Sequence, residues 1–431
     1  MIVLKNGLVV DPSSKLKEIC DVVIKGDKIV NIAKEIDVQS LEGNDEEEIE
    51  VLDCSGCIVG PGLVDVHVHF RDPGFTYKED IYTGAKAAAR GGVTSVVLMA
   101  NTKPVVDNVE TLKYVLDKGM ETDIHVYSCA SITEGLKGQQ LVDMELLRKS
   151  GAAGFTDDGI PILDESMVKK AMEEAAKTSS VLSFHEENPE YIKNNGINNG
   201  IGSQFFGVEG SDRMAEVSMV ERDLKIALET GAVVNFQHIS TKEAVEAIRK
   251  AKSLPEGKNI HAEATPHHMS MTEEDLQSYV TLAKMNPPLR TAADREAVIQ
   301  GIVDGTLDII ATDHAPHSAE EKAKKITEAP SGIIGLETSL AVSYNTLVRG
   351  KRIDILQLFC RMSERPAEIY GINAGKLAID RTADIVIFDP DKGHLYDNTY
   401  SKSFNTPLKK SLITGDVVAT ISSGKIIYKN M

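Results

Sequence analysis

The sequence predicts an α/β protein in which a (β/α)8 TIM barrel over residues 61–370 is flanked by a small β domain made of residues 1–60 and 371–431. Two patterns support this prediction. Strand-like and helical segments alternate through the middle of the chain, whereas short strands without helices occur near its two ends. The length of 431 residues also accommodates a barrel of about 250 residues and one small further domain.

The first sixty residues contain a predicted β-hairpin. Residues 22–24 and 28–30 are mostly apolar and flank Lys25-Gly26-Asp27, a sequence typical of a tight turn. The acidic residues 45–48 that follow are predicted to form a solvated loop without a chemical role.

The middle of the chain contains eight predicted strands, which alternate with helices. The strands are predicted at residues 63–67, 95–99, 124–128, 154–156, 181–185, 233–238, 260–263 and 309–312, and clear helical patterns cover residues 77–90, 166–177, 213–229 and 242–252. Eight strands in such alternation favour a closed barrel. A doubly wound sheet is the alternative if the alternation alone is considered.

Short strands return after about residue 371. Residues 383–388 form one predicted strand, and residues 417–422 and 425–428 form a hairpin around Ser423-Gly424. The simplest assembly pairs the two ends of the chain in one β domain beside the barrel.

Composition narrows the classes of function. The net charge of −18 would repel phosphate backbones and anionic membranes, so we expect no nucleic-acid or membrane partner. No apolar run approaches the roughly 20 residues of a membrane span. The five cysteines are scattered and odd in number, which favours a reducing compartment, and we expect a cytoplasmic protein.

Candidate metal ligands follow several of the predicted strands. His67 and His69 are two residues apart at the end of a strand, so both imidazoles project to one side. Further candidates stand at other strand ends: Asp157, Asp158, His185, His238, Asp313, His314 and His317. Because barrel active sites lie at the carboxyl ends of the strands, these side chains are expected to converge.

This set of side chains exceeds the needs of one tetrahedral zinc ion. Four histidines and two aspartates suit two metal ions bridged by a carboxylate and a hydroxide, an arrangement that supplies a nucleophile at neutral pH and polarises a carbonyl group. A further carboxylate must then carry a proton from the nucleophile to the leaving group, and Asp313 is the candidate. At this stage either Asp157 or Asp158 could be the bridging ligand.

Several motifs resemble the dihydroorotases of the long bacterial type, within the metal-dependent amidohydrolase superfamily. They are His-Phe-Arg-Asp-Pro-Gly at 69–74, Asn-Thr at 101–102, Phe-Thr-Asp-Asp-Gly at 155–159, His-Ile-Ser-Thr at 238–241, Met-Asn-Pro-Pro-Leu-Arg at 285–290 and Thr-Asp-His-Ala-Pro-His at 312–317. The resemblance extends from Pro61 to the C-terminus. Pro-Ser-Gly at 330–332 departs from the family, because Ser331 stands where an aromatic residue or Asn is common.

The resemblance implies a function and a role for each residue. It implies zinc-dependent, reversible hydrolysis of the ring amide of dihydroorotate to N-carbamoyl-L-aspartate, a step of pyrimidine biosynthesis. A metal-bridging hydroxide would attack, and Asp313 would be the catalytic acid–base group. We expect one or two zinc ions per chain, with two favoured. The implied metal ligands are His67, His69, Asp158, His185, His238 and Asp313, with Asp158 as the bridge because the matching strand offers no lysine. The implied substrate-binding residues are His69, Arg71, Asn101, Asn286, His317, Ser331 and Gly332.

Two alternatives of function remain open. A hydantoinase or allantoinase would use the same chemistry on another ring, although Arg71 and the 285–290 motif favour a substrate with a carboxylate. A catalytically inactive partner of aspartate transcarbamoylase should have lost metal ligands, and this chain retains them all. We expect a homo-oligomer with a small anionic substrate, and a complex between an active enzyme and aspartate transcarbamoylase remains open.

Metal removal tests the ligand assignment directly. Prolonged chelation should abolish dihydroorotate hydrolysis and added zinc should restore it, because the metal ion supplies the activated nucleophile. Metal analysis of the purified protein should find about two ions per chain if both predicted sites bind zinc. Full activity in rigorously metal-free protein would contradict the assignment, and about one ion per chain would count against His185 and His238.

Overall fold

The computed structural model describes residues 1–41 and 49–430. The acidic residues 45–48, predicted to form a solvated loop, lie outside the described residues. The architecture is mixed α/β, with one large sheet and two sets of parallel strands surrounded by helices. Within the described ranges, no helix is both long and apolar enough to span a membrane.

The described residues form strands and helices in the following order. The strands are β1 (Ile2–Asp11), β2 (Leu16–Lys25), β3 (Lys28–Ala33), β4 (Glu50–Asp53), β5 (Ile58–Pro61), β6 (Leu63–Val68), β7 (Val93–Leu98), β8 (His125–Ser128), β9 (Val181–Phe184), β10 (Val233–Phe236), β11 (Ile260–Ala264), β12 (Ile309–Ile310), β13 (Ile385–Leu395), β14 (Leu412–Ser422) and β15 (Lys425–Lys429). The α-helices are α1 (Ile81–Arg90), α2 (Val109–Met120), α3 (Met144–Lys149), α4 (Glu165–Thr178), α5 (Ile201–Phe206), α6 (Met214–Thr230), α7 (Lys242–Lys252), α8 (Pro266–Ser270), α9 (Asp275–Tyr279), α10 (Ala292–Asp304), α11 (Ala319–Lys322), α12 (Ser339–Ser343), α13 (Ile355–Phe359) and α14 (Arg365–Tyr370).

The large sheet joins the two ends of the chain. Its order is β15-β14-β13-β5-β1-β2-β3, with β4 paired to β1. Strand β5 connects the halves because Val59 pairs in parallel with Val9 and antiparallel with Ile387. The two predicted hairpins are confirmed by the pairs between Lys25 and Lys28 and between Ser422 and Lys425.

The remaining strands are all parallel. One set has the order β6-β7-β8 and the other β12-β11-β10-β9. Single parallel bridges connect the sets: Phe155 bridges Ala130 and Leu182, and His314 bridges Val68. Every residue of β6, β7, β9 and β11 is buried, as expected for parallel strands that are covered on both faces.

Two predicted strands are reduced to half their predicted length or less in the structure. The segment 154–156 contributes the single bridging residue Phe155, and the predicted strand at 309–312 ends at Ile310. Beyond it, the backbone N–H of Thr312 donates to the side chain of Asp65 on β6. Asp313 then takes a positive φ of 47°, which is incompatible with a continuing strand.

The helices between the strands begin at recognisable caps. The helical pattern over 77–90 becomes a helix from Ile81, because the Asp80 side chain accepts from the backbone N–H of Thr83. In the same way Thr241 caps α7, which matches the predicted bounds, and Thr265 caps α8. Thr241 and Thr265 lie within five residues of the ends of β10 and β11. The connecting loops are therefore short, and their polar residues stay close to the strand ends.

Candidate active site

The six predicted metal ligands come together at the carboxyl ends of the parallel strands. His67 and His69 lie at the end of β6, Asp158 follows Phe155, His185 follows β9, His238 follows β10 and Asp313 follows β12. Two groups have ligand atoms within 4.8 Å of one another: His67, His69 and Asp313, and His67, Asp158 and His238. All of these side chains are buried.

His67 stands between the two carboxylates. Its Nε2 atom is 3.4 Å from Oδ1 of Asp313 and 3.5 Å from Oδ1 of Asp158. This nitrogen is buried and has no hydrogen-bond partner among the described residues. A buried imidazole nitrogen without a partner is costly unless something binds it, so this atom fits a metal ligand.

Glu263 orients the ring of His67 through the Nδ1 atom, and the sequence analysis did not identify this residue. Its Oε2 accepts a hydrogen bond of 2.9 Å from Nδ1 of His67, while its Oε1 accepts from the side-chain amide of Asn235. A carboxylate on Nδ1 leaves the lone pair on Nε2, directed toward Asp158 and Asp313. The available signal was an acidic residue inside the short strand β11, whose other residues are Ile, His and Ala.

Asn101 performs the same task for His69. Its Oδ1 accepts from Nδ1 of His69 at 3.0 Å, and its Nδ2 donates to Oδ2 of Asp158 at 2.8 Å. His69 therefore presents Nε2 to Oδ1 of Asp313, 3.0 Å away. Asn101, predicted to bind substrate, contacts two predicted metal ligands in the structure.

His185 and His238 form the other side of the cluster. Nδ1 of His185 lies 2.9 Å from Nε2 of His238 and 3.7 Å from Oδ1 of Asp158. The outer Nε2 of His185 lies 3.2 Å from Oε2 of Glu187, a partner that the sequence analysis did not identify. The predicted second pair is thus adjacent, although the second compact group of potential ligand atoms contains His67 and not His185.

The neighbouring aspartates Asp157 and Asp158 point in different directions. Asp158 enters the histidine cluster. Asp157 accepts hydrogen bonds from the backbone N–H groups of Ile132, at 2.7 Å, and Thr133, at 3.1 Å, and from the Thr133 hydroxyl. Asp157 therefore holds the loop after β8.

The surroundings lower the pKa values of Asp158 and His238 and raise those of His67 and His185. Burial raises the pKa of Asp158, but His67, His69 and His185 outweigh it and hold the pKa well below the ordinary value. Burial, with His185 and His67 alongside, holds the pKa of His238 well below its ordinary value. These shifts favour an ionised Asp158 beside a neutral His238, the states in which both bind metal ions. At His67 burial lowers the pKa, but Glu263 and Asp313 outweigh it and raise that pKa well above its ordinary value.

Three site residues have backbone conformations that side chains other than glycine rarely adopt. The φ angles are 60° at Arg71, 31° at His238 and 47° at Asp313. Each such residue costs on the order of 1–3 kcal/mol and persists where the surrounding structure requires it. Here the backbone turns each side chain toward the ends of the strands.

Arg71 has the free hydrogen-bonding capacity expected of a substrate-binding group. Its Nε donates to the carbonyl of Pro316 at 3.3 Å, and it makes no salt bridge in the part of the chain that the structure describes. The neighbouring Asp72 instead accepts from Lys118 and Tyr114, so it does not neutralise Arg71. A guanidinium at this position can donate hydrogen bonds to the carboxylate of a ligand that binds from solution.

Other predicted substrate residues contact neighbouring side chains and backbone. Asn286 donates to Oε2 of Glu187 at 2.7 Å, and Nε2 of His317 lies 2.8 Å from the carbonyl of Ser331. Gly332 has a φ of 141°, and a Cβ there would lie 2.9 Å from the His317 ring. Only glycine fits between this backbone and the imidazole.

Relatives that match the full length of this chain are named dihydroorotase. The dihydro-orotase-like family model matches residues 56–244. The dihydroorotase of Clostridioides difficile is 49% identical over 99% of this chain and 100% of its own length. The dihydroorotase of Clostridium acetobutylicum is 45% identical over the whole of both chains.

Solved structures with low sequence identity share the fold. The L-hydantoinase (dihydropyrimidinase) from Arthrobacter aurescens superposes with a TM-score of 0.86 at 23% identity, covering 100% of this chain and 96% of that one. The dihydropyrimidinase from Brevibacillus agri has a TM-score of 0.84 at 22% identity, with 99% and 95% covered. At these identities the comparison concerns architecture and not the substrate.

The orientations of Asp157 and Asp158 generate a paired prediction. Asp158→Ala should lose bound metal, because it removes the carboxylate that contacts three histidines. Asp157→Ala should retain metal and instead lose stability, because two backbone N–H groups lose their acceptor. Metal analysis and urea unfolding of both variants test this. Greater metal loss in Asp157→Ala would mean that Asp157 is the ligand.

Proposed function

The chain belongs to the dihydroorotase family, and on that basis we propose that it catalyses the reversible hydrolysis of the ring amide of dihydroorotate to N-carbamoyl-L-aspartate, in pyrimidine biosynthesis. The observation that carries this proposal is the identity of 44–49% to dihydroorotases over the full length of the chain. The buried cluster of histidines and aspartates supports it, since an amide needs an activated nucleophile and a polarised carbonyl for hydrolysis.

Zinc is the metal that this donor set favours. We propose that His67, His69 and Asp313 hold one ion, that His185 and His238 hold a second, and that Asp158 contacts both. Imidazole and carboxylate donors suit zinc, and the unpartnered Nε2 of His67 fits the role. When bound, the metal supplies Lewis acidity, which lowers the pKa of a water molecule and polarises the amide carbonyl.

Asp313 is the proposed acid–base group. Its carboxylate lies among the ligand imidazoles at the mouth of the cluster, with Oδ1 3.0 Å from His69. In the forward reaction it accepts the proton of the attacking water and delivers it to the ring nitrogen as the carbon–nitrogen bond breaks. In the reverse reaction the same carboxylate takes the proton from the carbamoyl nitrogen, so one residue serves both directions.

The surrounding residues hold the substrate. We propose that Arg71 grips the carboxylate of dihydroorotate through two parallel hydrogen bonds, supplying positive charge in a chain of net charge −18. We propose that Asn286, which donates to Glu187, and His317, which lies beside the Ser331 carbonyl, make further contacts with the substrate. The remaining proposed contacts come from His69, Asn101, Ser331 and the backbone of Gly332.

The finer architecture is also part of the proposal. The serial parallel pairing from β6 to β12, with bridges at Phe155 and His314, supports a closed (β/α)8 barrel. Residues 61–370 would form this barrel, and residues 1–60 and 371–431 the β domain, in keeping with the sheet that joins both ends.

We propose that the protein is cytoplasmic. The five cysteines are free thiols in the structure, in keeping with a cytoplasmic enzyme. We also propose a homo-oligomer acting on a small anionic substrate. A complex with aspartate transcarbamoylase is an open question that co-purification from the source cell would address.

Replacement of Asp313 tests the acid–base role. Asp313→Asn keeps the shape and one ligand oxygen but cannot accept a proton, so kcat should fall by about 10²–10⁴-fold. Zinc content should stay appreciable, which separates proton transfer from metal binding. A metal-replete variant with nearly parental turnover would exclude Asp313 from the mechanism.

Replacement of Arg71 tests the choice of substrate. Arg71→Met keeps much of the aliphatic bulk but removes the donors, so kcat/KM for dihydroorotate should fall roughly tenfold to over a hundredfold, with zinc content unchanged. Assays of the parent on dihydroorotate, hydantoin and allantoin accompany it. Parental kcat/KM in the variant, or preference of the parent for hydantoin, would favour a hydantoinase instead.

A further inference from the structure

A buried ammonium group lies beneath the loop that carries Ser331 and Gly332. Nζ of Lys322, at the end of α11, donates to the carbonyl oxygens of Lys284, at 3.2 Å, Pro330, at 3.0 Å, and Gly332, at 3.0 Å. The Lys322 residue is only 5% exposed. An ammonium has three donors, and here each has one carbonyl acceptor.

No acid neutralises this cation. Among residues 1–41 and 49–430, Lys322 has no carboxylate within salt-bridge distance, and the same is true of the neighbouring Lys284. Burial, together with Lys284, lowers the pKa of Lys322 to about 7. Burying an uncompensated charge is unfavourable, so the three carbonyl contacts must offset that cost.

The three carbonyls belong to two segments that both carry proposed substrate contacts. Lys284 is two residues before Asn286, and Pro330 and Gly332 flank Ser331. The backbone N–H of Gly332 donates to the carbonyl of Lys284 at 2.9 Å, so the segments already touch. Lys322 binds the same carbonyl and the far segment at once, which fixes their separation.

The loop also has a second ammonium along its first half. Nζ of Lys284 donates to the carbonyl oxygens of Ile326 and Ala329, both at 2.7 Å. The loop contains no regular secondary structure between α11 and Ile333, apart from turns. Side chains therefore supply partners that a helix or strand would otherwise provide: Lys284 and Lys322 contact the carbonyls of Ile326, Ala329, Pro330 and Gly332, and Asn405 also donates to that of Gly332.

We propose that Lys322 is a positioning residue that sets the spacing between the Asn286 segment and the Ser331–Gly332 segment, and so determines affinity for the substrate without touching it. This inference rests on the proposed function, because it takes both segments to bind dihydroorotate. The expected signature is a rise in KM with little change in kcat, since the metal ligands and Asp313 lie on other segments.

The test compares three variants of the zinc-loaded, full-length protein. Lys322→Met keeps the length of the side chain and removes the donors. Lys322→Ala opens the space that the amine occupied. Lys324→Met is the matched control, because Lys324 is exposed on the same stretch and makes no salt bridge among the described residues. Measurements are kcat, KM, zinc content and hydrogen–deuterium exchange of residues 326–333.

We expect KM for dihydroorotate to rise about tenfold to a hundredfold in Lys322→Met and Lys322→Ala, with kcat within about threefold and zinc unchanged. Exchange of residues 326–333 should accelerate in both variants. Lys322 lines a cavity of about 370 Å³ beside His317 and Phe404, through which a small amine can enter. n-Propylammonium should therefore lower the KM of Lys322→Ala, whereas n-propanol should not.

The outcomes separate the two proposals. A parental protein that does not hydrolyse dihydroorotate would overturn the proposed function, and unchanged exchange of residues 326–333 in Lys322→Met would then overturn the positioning role independently. If the parent is active, a parental KM in Lys322→Met overturns the inference alone. Equal losses of kcat, zinc and stability would mark a general structural role and also overturn it. Should Lys322→Met fail to fold, the response of Lys322→Ala to n-propylammonium decides.

Discussion

The site depends on burying two carboxylates, Asp158 and Asp313, each within 3.5 Å of Nε2 of His67 at the ends of parallel strands. Like charges buried in one cluster repel in a medium of low polarity, so they are tolerated only where cations or strong donors surround them. The ligand imidazoles supply part of that compensation, and the pKa of Asp158 falls well below its ordinary value in consequence. The same imbalance supports the proposed binding of metal cations, because a divalent ion would neutralise charge that the protein alone balances incompletely.

A second set of side chains orients the histidines of the cluster. An imidazole that binds a metal through one nitrogen almost always donates a hydrogen bond from its other nitrogen to an acceptor. Glu263 occupies that position on His67, and Asn101 on His69. Glu187 lies at the outer nitrogen of His185. Each is fixed in turn by a further hydrogen bond, such as the one that Asn286 donates to Glu187. The geometry of the cluster is therefore built from a scaffold of neutral amides and additional carboxylates.

The opening of the site follows a different rule, because its loops lack the hydrogen bonds of strands and helices. Side chains supply the missing partners. Asn405 donates to the carbonyl oxygens of Ala315 and Gly332, and Lys322 donates to that of Gly332 and to those of Lys284 and Pro330. Arg71 uses one donor on the carbonyl of Pro316, and its remaining donors have no partner among residues 1–41 and 49–430. Groups that hold the loops are thus saturated, whereas the group proposed to meet the substrate is not.

The sequence alone determined which residues could carry the chemistry, because alternating elements place strand-end residues at one edge and those residues included imidazoles and carboxylates. It also determined the terminal hairpins, which depend on local turn residues. Only the tertiary structure decided the contacts between residues that are far apart in the sequence. Glu263 reaches His67 from 196 positions away, and Asp157 and Asp158 are distinguished by which neighbour each faces. The segment at 154–156 is reduced to one bridging residue, and Lys322 reaches a carbonyl 38 positions away. No local periodicity encodes such contacts, since they arise when packed elements bring unrelated segments within hydrogen-bonding distance.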